Sequence, residues 1–172
     1  MRSSVVAVCL SMVMAVLVSG CGDDSGEAEP ATEEVPSHTG PFFATCGGVQ
    51  LDEVASASGF VGLRLAERTT SDCEWVDSGY AGISFNWYRG SPIDRERGGI
   101  QLSKDSIEEI EIKGYPGFIA KNSHVCETAI GFGRDFIEWS AARQDGGVNN
   151  IPVQKLCQAV RELATLSIER AR

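Results

Sequence analysis

Cysteine is the residue type in this chain best placed to do chemistry, and the six copies divide by position. Cys9 and Cys21 lie in and just after an apolar N-terminal run, whereas Cys46, Cys73, Cys126 and Cys157 are spread through the remainder. Four thiols in a chain that leaves the cytoplasm read as two disulfides, because oxidising compartments let such bridges persist. A tetrahedral metal site would need three or four thiolate or imidazole ligands, and no C-x-x-C occurs, so no metal ligands are assigned. Gly131-Phe132-Gly133 lacks the third glycine and the helix of a dinucleotide fingerprint, and no cofactor is expected.

The remaining reactive side chains suggest no catalytic set. Of the two histidines, His38 precedes the domain, so any His-dependent triad must use His124. Ser123 is its neighbour in sequence, which on a strand points the two side chains apart. His124 is therefore expected to be a surface turn residue. Glu108, Glu109 and Glu111 read as a charged strand edge rather than a desolvated acid pair. Arg89, Arg95 and Arg97 flank Gly90-Ser91-Pro92 and could hold a phosphate, but the interleaved Asp94 and Glu96 favour a solvated loop. The expectation is a protein that is not an enzyme.

The elements that must present these residues begin with a leader. Arg2 precedes an uncharged run over 5–18, and those fourteen residues reach only ~21 Å as a helix, against a hydrocarbon core of ~30 Å. Residues 1–20 read as a cleaved signal peptide. Leu17-Val18-Ser19-Gly20-Cys21 resembles the lipobox of bacterial lipoproteins. That resemblance implies cleavage after Gly20 and a diacylglyceryl thioether on Cys21, which would hold the protein on the extracytoplasmic face of the cell membrane. Two or more acyl chains make a stable anchor where one is marginal.

Residues 21–41 hold six acids, no base and three prolines, so they read as an acidic, disordered linker behind the lipidated Cys21. A flexible coil of this length spans about 25 Å root-mean-square. The whole chain carries −9; setting aside Arg2 and the six linker carboxylates leaves the domain near −4. Nucleic acid is excluded as a partner for want of a basic footprint.

Residues 42–172 form the expected single globular domain. A short helix over 51–58 is acidic in its first turn and stopped by Gly59. A longer helix follows Pro152, with Val153, Leu156, Cys157, Val160, Leu163, Ala164 and Ser167 at spacings of three and four. Between them the period is two: Ile83, Phe85 and Trp87 alternate with polar residues, as do Ile110 and Ile112. Further strands are expected over 62–68, 72–76, 118–122, 125–132 and 136–142. Short turns between them imply antiparallel neighbours. The fold class is α+β: a mostly antiparallel sheet of five to seven strands with N- and C-terminal helices on one face and two disulfides.

A Cys before a short helix ending in glycine (Cys46 to Gly59), a Cys73-Glu74-Trp75 strand opening, a Ser91-Pro92-Ile93-Asp94 loop, a Gly114-Tyr115-Pro116-Gly117 turn, Cys126 and a terminal helix with Cys157 resemble the actinobacterial lipoproteins of domain-of-unknown-function family 3558. The resemblance implies two disulfides and an actinobacterial envelope, and brings no catalytic or binding residues. Chain entropy does not choose among the three connectivities: about 3.5 kcal/mol for each short loop against nearly 5 kcal/mol for the longest. Cys46–Cys73 with Cys126–Cys157 is favoured because each bridge would pin a helix to a nearby strand.

The functional expectation is a non-enzymatic binding or interaction module that contacts an envelope protein, glycolipid or wall polymer. An envelope lipid or glycolipid carrier and an envelope hydrolase or transferase are the alternatives. A carrier needs an apolar cavity of several hundred Å³. An adaptor needs an exposed apolar patch, and a hydrolase needs His124 beside an acid or nucleophile.

Overall fold

Alternation of apolar and polar residues sets the central layer. The computed structural model describes residues 40–172; the signal peptide, Cys21 and most of the acidic linker lie outside the described residues. Seven strands form one antiparallel sheet: β1 (Arg64–Arg68), β2 (Asp72–Val76), β3 (Gly82–Tyr88), β4 (Ser106–Ile112), β5 (Tyr115–Lys121), β6 (Val125–Phe132) and β7 (Asp135–Ala142). Their order is β1-β2-β3-β7-β6-β5-β4, so β1 and β4 are the edges. β1 is exposed throughout and β4 carries Glu108, Glu109 and Glu111, a charged edge that resists pairing with another chain.

Period two gives each strand one face for the core. Cys73, Trp75, Ile83, Phe85, Ile130, Ile137 and Trp139 point to the same side, where α1 (Leu51–Ser58) and α3 (Val153–Arg170) cover them. α3 buries Leu156, Ala159, Val160, Leu163, Ala164 and Ser167, a stripe at helical spacing. Trp139 stacks on Trp75 at 5.7 Å and donates Nε1–H to Ser167 Oγ at 3.0 Å, so its one polar atom is satisfied inside the core. The strand aromatics thus pack against one another, as core residues.

Both bridges form with the sequential pairing. Cys46–Cys73 ties the 3-10 turn Thr45–Gly48 to β2, and Cys126–Cys157 ties β6 to α3. Gly47 is at φ +63°, and an added Cβ would stand 2.4 Å from Ser167 Oγ and 2.9 Å from Phe85. Only glycine fits there. Arg170 on α3 donates to both carboxylate oxygens of Glu53 on α1 at 2.6 and 2.8 Å, and this pairing lowers the Glu53 carboxyl to about 2.

Two local expectations are corrected. Residues around Pro92 were expected as a solvated loop, but Ile93–Ile100 form a helix, α2, on the opposite face of the sheet. Ile93 and Ile100 are seven apart, on one side of that helix, and join Phe118, Ala120, Ala129 and Phe136 in a second small core. Gly114-Tyr115-Pro116-Gly117 is not one turn either. The reversal is Lys113–Gly114, both at positive φ as a two-residue hairpin requires, and Tyr115 already opens β5.

Candidate functional site

The hairpin and helix just described meet at one end of the sheet and leave a groove there. Because the reversal is tight, β5 starts with Tyr115 close to Phe132, ring centroids 4.7 Å apart. Gly40, where the described chain begins, lies against the same Phe132; a Cβ on it would be 3.0 Å from Phe132 Cβ. Gly131 lets α2 approach, since a Cβ there would meet Ile93 Cγ2 at 3.1 Å. The result is a solvent-open groove of about 720 Å³ lined by Pro41, Ile93, Tyr115, Pro116, Phe132 and Arg172 with three glycines. Its walls are apolar, and Arg172 is the charged residue among those lining it. Such a surface suits an apolar chain that carries an anionic group.

Sequence reasoning missed this groove. Phe132 read as a strand residue, Pro116 as part of a turn and Ile93 as part of a loop, and nothing in their spacing joins them. The clustering of small residues near 131–133 was the available signal, because glycine in a strand marks close approach.

At the opposite end, the β5–β6 turn gathers residue types that sequence spacing had set apart. Ser123 Oγ lies 2.7 Å from His124 Nδ1, and His124 Nε2 lies 2.9 Å from Asp145 Oδ2. The expectation that Ser123 and His124 point apart fails because they occupy a turn, where Asn122 Oδ1 accepts from the backbone N–H of His124 and Val125. Hydrogen bonding from His124 lowers the Asp145 carboxyl. The three side chains are exposed, with His124 half open to water and Asp145 two-thirds open, and Arg143 also reaches Asp145 at 3.3 Å. No wall excludes water from the serine, so the imidazole has little electrostatic advantage over solvent.

Of the three arginines singled out in the sequence, Arg89 and Arg97 turn to different partners. Arg89 stacks over Trp87 at 5.0 Å, and Arg97 lies over Phe118 at 5.6 Å while pairing with Glu109. Beneath α2, Lys104 pairs with the buried Glu127 at 2.6 Å, and Glu127 Oε1 has no hydrogen-bond partner. Glu138 is raised to about 7, first by burial and then by the charges of Glu127 and Glu96, against the lowering effect of Lys104 and the Asn86 hydrogen bond. No group of three or more metal-ligating side chains occurs among the described residues, and no helix among them is long and apolar enough to cross a membrane.

Comparison with known proteins adds kinship. The family model described as "Protein of unknown function (DUF3558)" matches residues 16–170. A Mycobacterium tuberculosis protein of strain CDC 1551 / Oshkosh, named "Putative lipoprotein LprB", is 35% identical over 189 residues, covering 99% of this chain and 97% of its own. The protein of the same name from Mycobacterium leprae strain TN is 33% identical over 177 residues, covering 94% and 90%.

Proposed function

This chain belongs to the DUF3558 family, and we propose that it is a lipid-anchored, non-enzymatic binding module of the cell envelope. Cys21 carries the diacylglyceryl group, residues 21–41 act as an acidic spacer, and the domain stands on the extracytoplasmic face of the membrane. The relatives' name, lipoprotein, supports the anchor, as does the lipobox-like sequence ending at Cys21.

The observation that carries the binding reading is the apolar groove beside Gly40. The spacer joins the domain beside this groove, at Gly40 and Pro41. A segment of six methylenes buried there would contribute about 5 kcal/mol, enough to retain a lipid loosely without enclosing it. Arg172 at the groove supplies the counter-charge for an anionic headgroup. The site therefore takes the apolar part of an envelope lipid or glycolipid, with the domain gripping it rather than carrying it in a closed cavity.

Native mass spectrometry of the purified full chain after incubation with an envelope lipid extract tests this. One retained lipid is expected, with roughly tenfold weaker retention in Tyr115→Ala and in Arg172→Glu, about 1.4 kcal/mol. A bare protein mass in all three samples would defeat it. The Ser123, His124 and Asp145 contacts favour a hydrolase as the second reading. Labelling of Ser123 by a fluorophosphonate would put that reading first.

A further inference from the structure

β5 begins at Tyr115 beside the groove and ends at Lys121, where a second cleft opens. α3 packs chiefly on β6 and β7, and Cys126–Cys157 fixes it there, so β5 and the edge strand β4 extend out from beneath the helix. Ser106 and Glu108 of β4 stand opposite Lys121 and Ile119 of β5, and alternation along the strands puts all four on the α3 side. On α3, Gln154, Cys157, Gln158 and Arg161 recur at spacings of three and four, a flank beside the buried stripe. The strand residues are the floor and the helix flank is the wall of a solvent-open cleft of about 280 Å³.

The charges in this cleft have no partners. Lys104, Lys113, Arg97, Arg143 and Arg170 each pair with a carboxylate. The side chains of Lys121 and Arg161 have neither an ion pair nor a hydrogen bond among the described residues, and the same holds for Glu108. Asp105 donates its backbone N–H to the Lys121 carbonyl, but it does not line the cleft. Lys155 and Glu162 lie on the other flank of α3, lining a separate cleft with Ser56 and Asn150. Two cations against one carboxylate leave a single positive charge. Ile119 is 9% exposed, and Lys121 and Cys157 are half-buried, so charge at the floor is screened less than on an open surface.

These groups specify a ligand chemistry. An ammonium and a guanidinium together suit phosphate oxygens, the first as a point charge and the second as a planar fork. The Gln154 and Gln158 carboxamides donate and accept, whereas the Glu108 carboxylate accepts only, so these three call for hydroxyls. One surplus positive charge matches a phosphodiester; a doubly charged phosphate monoester would leave its second charge facing Glu108. We infer that the cleft binds a phosphodiester of a small polyol, with the phosphate held by Lys121 and Arg161 and the polyol hydroxyls by Glu108 and the two carboxamides. A volume at the low end of ligand pockets limits the polyol to roughly three to six carbons. The group occurs both free and as a phospholipid headgroup, and the experiment separates the two. The cleft is independent of the apolar groove at the other end of β5.

The test titrates the isotope-labelled full chain, in maltoside micelles, with glycerophosphoglycerol and follows the backbone amide resonances. Saturable shifts centred on 119–121 and 157–161 are expected. Arg161→Gln and Lys121→Gln should each weaken binding about fivefold or more, the loss of one charge-assisted contact. Neither side chain has a partner in the fold, so resonances away from the cleft should stay in place. Lys155→Gln, on the other flank of the helix, should bind as the wild type does. Glu108→Gln should weaken glycerophosphoglycerol but strengthen inorganic phosphate, whereas mere attraction to positive charge would strengthen both. Dihexanoyl-phosphatidylglycerol bound no more tightly than glycerophosphoglycerol identifies the free ester as the ligand; binding at least tenfold tighter identifies a lipid headgroup. The inference is overturned by an absence of saturable shifts with every probe, by an equal loss in Lys155→Gln, or by strengthening of both ligands in Glu108→Gln. Tyr115→Ala should bind glycerophosphoglycerol normally, which separates failure of this cleft from failure of the groove.

Discussion

Glu138 shows how a single residue on the α2 side of the sheet sets a pH response. Its carboxyl rises from 4.5 to about 7 because burial, Glu127 and Glu96 disfavour the charge more than Lys104 and Asn86 favour it. Between those values the folded protein keeps a proton that the unfolded chain releases, so folding weakens as pH rises. The contribution is intact below pH 4.5 and lost once pH passes about 7, a fall of up to about 3 kcal/mol. Urea midpoints at pH 5 and pH 8 should therefore differ, and Glu138→Gln should narrow the gap. An unchanged gap in that variant would place the effect elsewhere. Little of this was legible in the sequence, where Glu138 is one of 24 acidic residues. Its burial depends on α2 and on the pairing of β7 with β3 and β6, which are contacts between segments far apart in the chain.

At the scale of elements, the parts with strong periodicity were readable and the parts made by tertiary contact were not. α3 shows its buried stripe from Leu156 to Ser167, and β3 alternates through seven residues, so both follow from the sequence. α2 has two apolar residues, Ile93 and Ile100, around a charged and glycine-containing stretch. Gly98 and Gly99 each oppose a helix by about 1 kcal/mol relative to alanine. The helix holds because its two isoleucines pack near Phe118 and Phe136, which no local pattern announces. The disulfides were legible for a different reason, since oxidised cysteines in even number must pair and each favoured bridge had a helix and a strand to join. Cys126–Cys157 closes a separation of 31 residues and fixes α3 to β6. Its loss in Cys126→Ala/Cys157→Ala should destabilise the domain by roughly 2–5 kcal/mol. The melting temperature of the double variant measures this; an unchanged value would mean that helix packing alone holds α3.

At the scale of the whole domain, a groove lies at the end where the spacer enters. It was not visible in the sequence, because a residue lining a groove and a residue in a packed core are the same types at the same spacing. Phe132 illustrates this: it packs against Phe43 in the core and also forms the groove wall with Tyr115. The linker leads directly into Gly40, and it is the structure that sets Gly40 beside this groove. The central claim is that the groove beside that junction binds envelope lipid. Its most direct test is photo-crosslinking of the full chain in its host membrane with a diazirine-bearing phospholipid, followed by peptide mapping. The account predicts adducts within 115–116 and 131–133, reduced in Tyr115→Ala. Adducts confined to the 77–81 and 143–151 loops, or none on the domain, would contradict it.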